Sequence, residues 1–441
     1  MKPSDKYKLD ERNHVEKPLL DQLSCLGWEI IDLTDEKQTP AHTFRDNFTE
    51  VVMPKVLREQ IKVINPWLED DQVEEVARQL TASFPGTGLI ENNQYALHLL
   101  LENTSVSENR KTGEQSPTVR FIDFDKDPLK NNRFIAVCQF KVRILGTEHH
   151  IIPDIVLFVN GLPVVLIECK SPKVKDAIFE AIHQMLRYSE QRGAKGEGSA
   201  PLFYFNQIVI ATCRQEAKFG TITTHSEKHF YRWSDPYPRT LDDLDHGSGS
   251  PNDQQRLVAG MIDKGNLLDL IRTFTLFSTN DKGQTIKIVG RYQQFRAVKL
   301  AVQRLLQGKS PRERSGIIWH TQGSGKSLTM MFMVREMYRH AALSNWKVVF
   351  VTDRTQLEGQ LNETSRSIGF TVKVAKRINP KANPDGSSLK ELLSADTSDL
   401  VMAMIHKFRE ADLTETFPQL NDSPNILVMT DEAHRSQYKM L

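Results

Sequence analysis

Ile151 to Pro172 reads IIPDIVLFVNGLPVVLIECKSP, and how that stretch pairs with itself decides the fold of the first half of the chain. Two apolar, β-branched runs flank Asn160-Gly161, a dipeptide that accepts the positive φ angles of a tight hairpin turn. Asp154 opens the first run, and the second ends in Glu168, Cys169 and Lys170. Side chains alternate along a strand, so Glu168 and Lys170 share a face and Cys169 points to the other. A two-residue loop carried through unchanged would set Asp154 against Ile167 and leave the two carboxylates on opposite faces. Gathering them needs the hairpin centred on Gly161, through a three-residue loop or a bulge beside Pro163, and that register is the expectation. Charged caps on a buried hairpin would explain the apolar runs. They would not explain two acids and a lysine collected where desolvating charge is costly.

Such a cluster suits phosphodiester hydrolysis. Carboxylate oxygens hold one or two Mg2+ ions, hard cations that prefer oxygen ligands. The ion acidifies a water and offsets charge on the phosphate, while Lys170 steadies the attacking hydroxide. The pattern at Pro153-Asp154, Glu168 and Lys170 resembles the PD-(D/E)xK nucleases, and the resemblance implies Asp154, Glu168 and the Cys169 backbone carbonyl as metal ligands. Downstream, apolar residues at Val174, Ala177, Ile178, Ala181, Ile182 and Met185 recur with a helical period. Gln184 and Tyr188, four apart, project from one face of that helix. This Q-x-x-x-Y resembles the extra motif of the RecB-like branch of these nucleases, which implies catalytic roles for both. An early helix with the stripe Val15, Leu19, Leu20, Leu23 and Leu26, closed by Gly27, carries Glu16 at its edge. By the same resemblance Glu16 is a secondary metal candidate; a solvated helix-start glutamate is the alternative.

A chain of 441 residues exceeds one core and predicts two or three domains. Its net charge of +1 does not advertise nucleic acid, so any DNA groove must come from local arrangement. The four cysteines are spread without C-x-x-C spacing, which argues against a zinc site or disulfide frame and for a reducing compartment. No signal peptide or membrane-length apolar run is present in the sequence, so a cytoplasmic location is expected, with no membrane partner. Thr43 to Leu80 reads as helices broken at Asn65-Pro66. Tyr95–Leu101, Arg120–Phe124 and Phe134–Ile144 read as strands or short pieces, Gln207–Thr212 as a buried strand, and Leu267–Phe277 as a helix. Residues 239–254, acidic and then Gly/Ser/Pro-rich, suit a boundary. The expected division is 1–240, 241–284 as linker and bridging helix, and 285–441.

The second site follows the apolar run Gly316–His320, read as a strand, with Thr321, Gln322, Gly323, Ser324, Gly325, Lys326 and Ser327, then an apolar helix from Leu328. Strand, glycine loop, lysine and helix make the P-loop context, in which backbone amides approach phosphates at a helix N-terminus. Lys326 reaches the β and γ phosphates of ATP and the Ser327 hydroxyl binds Mg2+. Further strands are read at Lys347–Thr352, Leu400–Ile405 and Asn425–Thr430, the last running into Asp431-Glu432-Ala433-His434. Asp431 would hold the metal shell and Glu432 would orient the attacking water. D-E-A-H after an apolar strand resembles motif II of superfamily two helicases. That resemblance implies a nucleotide-site role for His434, an adenine-reading Gln294, with Gln293 less favoured, and a DNA-backbone contact near Thr352-Asp353-Arg354.

A nuclease of this pattern followed by a DEAH-type motor resembles the R subunit of type I restriction enzymes. The implied fold class is α/β: a restriction-endonuclease-like domain followed by a RecA-like P-loop domain with a parallel sheet, incomplete at its C-terminal end. The implied activity is Mg2+-dependent cleavage of double-stranded DNA coupled to ATP-driven translocation, with methyltransferase (M) and specificity (S) subunits as partners. The chain stops seven residues after His434, so an N-terminal part of a longer protein is expected. The alternatives are another helicase-nuclease fusion of DNA repair and a DNA-binding scaffold with vestigial sites.

Overall fold

The computed structural model describes residues 10–34, 37–82, 84, 86, 88–102, 104–194, 196–244, 249–280, 282–321, 323–352, 372–374, 389–404 and 419–431. The chain divides into two compact units: residues 1–275 with 279–292, and residues 276–278 with 293–441. None of the helices among the described residues is long and apolar enough to cross a membrane.

The first unit is built on a six-stranded sheet whose strands lie side by side in chain order. They are β1 (Glu29–Asp32), β2 (Phe134–Cys138), β3 (Ile155–Val159), β4 (Leu162–Cys169), β5 (Ile208–Thr212) and β6 (Ala217–Gly220). β1 runs parallel to β2 and β4 parallel to β5; the remaining neighbours are antiparallel. Every residue of β3 and β4 is buried. That is why the quoted stretch is continuously apolar: strands covered on both faces have no solvent side to alternate with.

The longer helices of this unit are α1 (Lys17–Cys25), α2 (Pro54–Ile64), α3 (Asp70–Ala82), α4 (Leu89–Glu102), α5 (Ala177–Tyr188), α6 (Asp253–Met261) and α7 (Lys264–Arg272). Ile178, Ala181, Ile182, Met185 and Tyr188 of α5 share one apolar cluster with Val156, Phe158 and Leu166. Short strands β7 (Thr275–Thr279) and β8 (Thr285–Val289) follow.

The hairpin reaches the expected register by way of the bulge. Its turn is the two-residue one, with Val159 opposite Leu162 and Phe158 opposite Pro163. The register then shifts, setting Leu157 against Val165 and Ile155 against Ile167. The extra residue, Val164, lies beside Pro163 and swings Asp154 across from Glu168. Asn160 and Gly161 have φ of 53° and 83°, as a right-twisted hairpin requires. A Cβ on Gly161 would sit 2.7 Å from the Met53 carbonyl oxygen, because α2 starts directly over the turn. Buried Asn160 donates to the Phe121 carbonyl at 2.8 Å and to Asn132 Oδ1 at 2.7 Å. Asn132 Oδ1 also accepts from the Asp123 N–H. Burial opposes the charge of Asp123, but donors from Lys126, Asn131, Asp125 and Asp127 overcome it and hold its pKa at about 2. The polar segment before β2 is thus a lock on the hairpin turn.

Three readings of the sequence are corrected. Tyr95–Leu101 belongs to helix α4, whose buried residues Asn93, Ala96, Leu97 and Leu100 recur with helical spacing. Arg120–Phe124 forms no strand; the N–H and carbonyl of Arg120 pair with the Asn65 side chain at 3.0 and 2.8 Å. Leu267–Phe277 is not one helix: α7 ends at Arg272, and the threonine-rich continuation enters β7.

The second unit contains α8 (Tyr292–Gln307), α9 (Lys326–Tyr338) and a parallel sheet ordered β10 (Val372–Val374), β11 (Leu400–Met404), β9 (Lys347–Thr352), β12 (Ile426–Thr430). Strand β9 is buried throughout, whereas β12 lies at an edge with Val428 57% exposed. The strand expected at Gly316–His320 is not formed: Ile317 is 93% and Trp319 89% exposed. An extended run becomes a strand only by pairing, and no described strand is hydrogen-bonded to this one.

Candidate active site and nucleotide loop

Asp154 lies just before β3, Glu168 near the end of β4 and Lys170 just past it, so paired strands bring all three together at one sheet rim. Asp154 Oδ2 accepts from the Cys169 N–H at 2.8 Å. Glu168 is fully buried; its Oε1 accepts from the Asp154 N–H at 3.4 Å and its Oε2 from Lys170 Nζ at 3.4 Å. Lys170 Nζ stands 3.7 Å from Asp154 and donates to the Cys169 carbonyl at 2.8 Å. That carbonyl, expected as a metal ligand, is therefore engaged by the lysine.

Burial, then the charge of Asp154, raises the Glu168 pKa well above the carboxylate range. For Lys170 burial opposes the charge, but Glu168, Asp154 and Glu11 outweigh it and the pKa rises. The lysine is held as a cation among acids.

Two more carboxylates reach this rim, Glu16 from a π-helical turn, Arg12–Glu16, that leads into α1, and Glu11 from the residue just before that turn. Glu11, Glu16 and Asp154 each bring a carboxylate oxygen within 4.8 Å of the others. Burial is the main cause lifting Glu11 and Glu16 to a pKa of about 7, with Asp154 adding to both. Three acids this close are relieved either by retained protons or by a cation. An all-oxygen donor set fits a hard divalent ion, so the residues present suit Mg2+.

Gln184 and Tyr188 lie together on α5: Gln184 Nε2 donates to the Tyr188 hydroxyl at 2.6 Å, and that hydroxyl donates to the Ile152 carbonyl at 3.2 Å. The pair braces the segment entering Asp154. Glu16 is among the gathered residues, as a secondary candidate. Glu11 was missed, and so was Gln139, whose Nε2 stands 3.3 Å from Glu16 Oε1 and 3.5 Å from Asp154 Oδ1. Nothing in the DERNHVE segment separates Glu11 from an ordinary helix-start acid, and Gln139 simply follows an apolar strand.

In the second unit the loop from Thr321 to Ser327 enters α9 with Gly323 and Gly325 at φ of 75° and 82°. Ser324 Oγ donates to the Thr321 carbonyl at 2.6 Å. Gln294 is buried and donates to the Gly325 carbonyl at 3.1 Å, so the glutamine expected to read adenine also touches the loop backbone. Lys326 and Ser327 open the helix, where N–H groups converge. Asp431 follows β12, its N–H donating to the Val351 carbonyl at 2.9 Å. Gln322, Asp353, Arg354, Glu432 and His434 lie outside the described residues.

The fold and sites define a class: an α/β protein with an acid-and-lysine centre on the sheet rim of one unit and a P-loop motif in the other. Residues 8–228 match the family "type I restriction enzyme R protein N terminus", and residues 293–441 match the SWI2/SNF2 ATPase family. The chain belongs to the type I restriction enzyme R protein N-terminus family. It is 33% identical over 97% of its length to the type I restriction enzyme HindI endonuclease subunit of Haemophilus influenzae, covering 39% of that protein. It is 28% identical over 98% of its length to the putative MjaIXP endonuclease subunit of Methanocaldococcus jannaschii, covering 41% of it. The SauCOLORF180P endonuclease subunit of Staphylococcus aureus is 24% identical over 96% of the chain, which covers 40% of that relative. The chain thus spans about two fifths of the length of these curated relatives.

Proposed function

We propose that this chain carries the cutting centre and the first nucleotide-binding half of a type I restriction enzyme R subunit, acting on double-stranded DNA beside M and S subunits in the cytoplasm. The carrying observation is the convergence of Asp154, Glu168 and Lys170 with Glu11 and Glu16 at one rim. Residues 1–240 carry the RecB-like PD-(D/E)xK domain, 241–284, with α6 and α7 packed within the first unit, lead on from it, and 285–441 carry the RecA-like motor domain of DEAH type.

Asp154 and Glu16 are the best placed metal ligands, with Glu11 beside them and Glu168 behind Lys170. Bound Mg2+ supplies Lewis acidity to water and offsets charge on the scissile phosphate. The ammonium of Lys170, fixed by Glu168 and the Cys169 carbonyl, is positioned to steady negative charge developing on the phosphate. The Gln184–Tyr188 pair holds the strand that presents Asp154. In the motor domain, Lys326 and the N–H groups of the loop take the ATP phosphates. Ser327 and Asp431 provide oxygens for the accompanying Mg2+, and Glu432 and His434 complete the DEAH motif.

The test is DNA cleavage and ATP-driven translocation by the full-length protein assembled with M and S subunits. Asp154→Ala and Lys170→Ala abolish cleavage and leave translocation intact, and Lys326→Ala abolishes translocation. Wild-type behaviour of all three would replace this reading with that of a DNA-binding scaffold.

A further inference from the structure

Gln139, the residue after β2, lies across from Asp154, and its N–H donates to the Asp154 carbonyl at 2.8 Å. Its φ is 61°, in the left-handed region that a residue bearing a Cβ enters at a cost of about 1–2 kcal/mol. The Gln38 side chain donates to its carbonyl at 2.9 Å and helps to fix it there. In this conformation Gln139 Nε2 stands 3.3 Å from Glu16 Oε1 and 3.5 Å from Asp154 Oδ1.

The other oxygen of each carboxylate is engaged elsewhere. Glu16 Oε2 accepts from Arg12 at 3.1 Å and from the Cys138 thiol at 3.5 Å. Asp154 Oδ2 accepts from the Cys169 N–H. The amide of Gln139 therefore spans the two oxygens left to face one another. Its partly positive hydrogens oppose the repulsion that would part them.

We propose that Gln139 is a positioning residue for the divalent ion of the acid centre. It holds Glu16 and Asp154 converged in the metal-free protein and stays bonded to these carboxylates as an outer partner when the cation arrives. This rests on the acid centre being a metal site. Strained backbone maintained by surrounding bonds is the pattern expected where geometry serves a site. The strain places just past β2 a donor that no acid or lysine motif would reveal.

The experiment measures Mn2+ binding to the 441-residue chain without DNA, from the electron paramagnetic resonance signal of the free ion. Four proteins are compared: wild type, Gln139→Met, Gln139→Gly and Asp154→Ala. Methionine keeps the length of the side chain but cannot donate, and glycine removes the side chain while relieving the positive φ. Both Gln139 variants are expected to bind about 10-fold or more weakly, the scale of losing an outer partner of a metal ligand. Gln139→Gly is expected to melt no lower than wild type, which separates positioning from folding. Wild-type affinity in either Gln139 variant overturns the proposal. Wild-type affinity in Asp154→Ala instead overturns the metal reading on which it rests.

Discussion

The two candidate sites are built on opposite terms. In the first unit every acid and the lysine stand on, or one or two residues from, a strand paired on both sides, or on a turn packed against such strands. In the second, the glycine loop follows an extended apolar run that pairs with no described strand, and its sheet ends on a half-bare edge. Burial in the first site perturbs the carboxylates and fixes an ammonium among them; among the described residues of the second, no three acids converge in this way. A centre that must converge like charges needs a rigid, desolvated frame. A phosphate loop needs only free N–H groups at a helix start.

The largest effect separating the two comes from removing the lysine of each. Lys170→Ala leaves Glu168 and Asp154 buried without their cation, which costs about 3–5 kcal/mol in urea unfolding of the chain. Lys326→Ala, on the glycine loop, is expected to change stability by less than about 1 kcal/mol while removing nucleotide binding. Equal costs would dissolve the contrast.

Glycines give the next comparison. Gly161→Ala combines a positive φ with a contact of 2.7 Å to the Met53 carbonyl, and roughly 2–4 kcal/mol is expected. Gly323→Ala meets nothing within 4 Å, so only the backbone strain of about 1–2 kcal/mol remains. The order of the two midpoints decides whether α2 truly clamps the hairpin turn.

These contrasts also show which features the sequence could reveal. Asp154, Glu168 and Lys170 were legible because alternation and a bulge beside Pro163 are local rules. Glu11 and Gln139 were not, since each arrives from another segment and its role depends on packing that no local pattern encodes. Tyr95–Leu101 was misread because a short apolar run fits helix and strand alike. The fold of Arg120–Phe124 depends on Asn65, a partner far back in the chain. Gly316–His320 has the composition of a strand, but a strand is a relation between two segments, and composition reports only one.

A buried lysine that donates to three amide oxygens sharpens the comparison further. Lys287 on β8 donates to Asn93 Oδ1, the Asn206 carbonyl and Gln207 Oε1 at 2.7, 2.8 and 2.7 Å. Burial pushes its pKa well below the usual 10.5, so over the window up to that value the unfolded chain binds more protons than the folded one. Stability contributed here therefore rises as pH rises toward 10.5. Lys287→Met removes the hydrogen bonds at a cost of about 1–3 kcal/mol. The variant lacks that pH slope, so the gap between wild type and variant should widen from pH 7 to pH 9.5. A constant gap would mean that the ammonium is as comfortable there as in water.

The smallest effect belongs to the unpaired run itself. Ile317→Ser should shift stability by less than about 0.5 kcal/mol, because a side chain already 93% exposed loses no burial. The amides of residues 316–320 should exchange with deuterium within seconds, while those of β4 exchange only on global opening. Trp319, 89% exposed, should emit at long wavelength and be quenched by acrylamide; Trp233, 1% exposed, should resist. Comparing wild type with Trp319→Phe isolates that signal. Protection of residues 316–320 in the chain alone would show that the run has found a partner strand, and the two sites would then share one principle of construction.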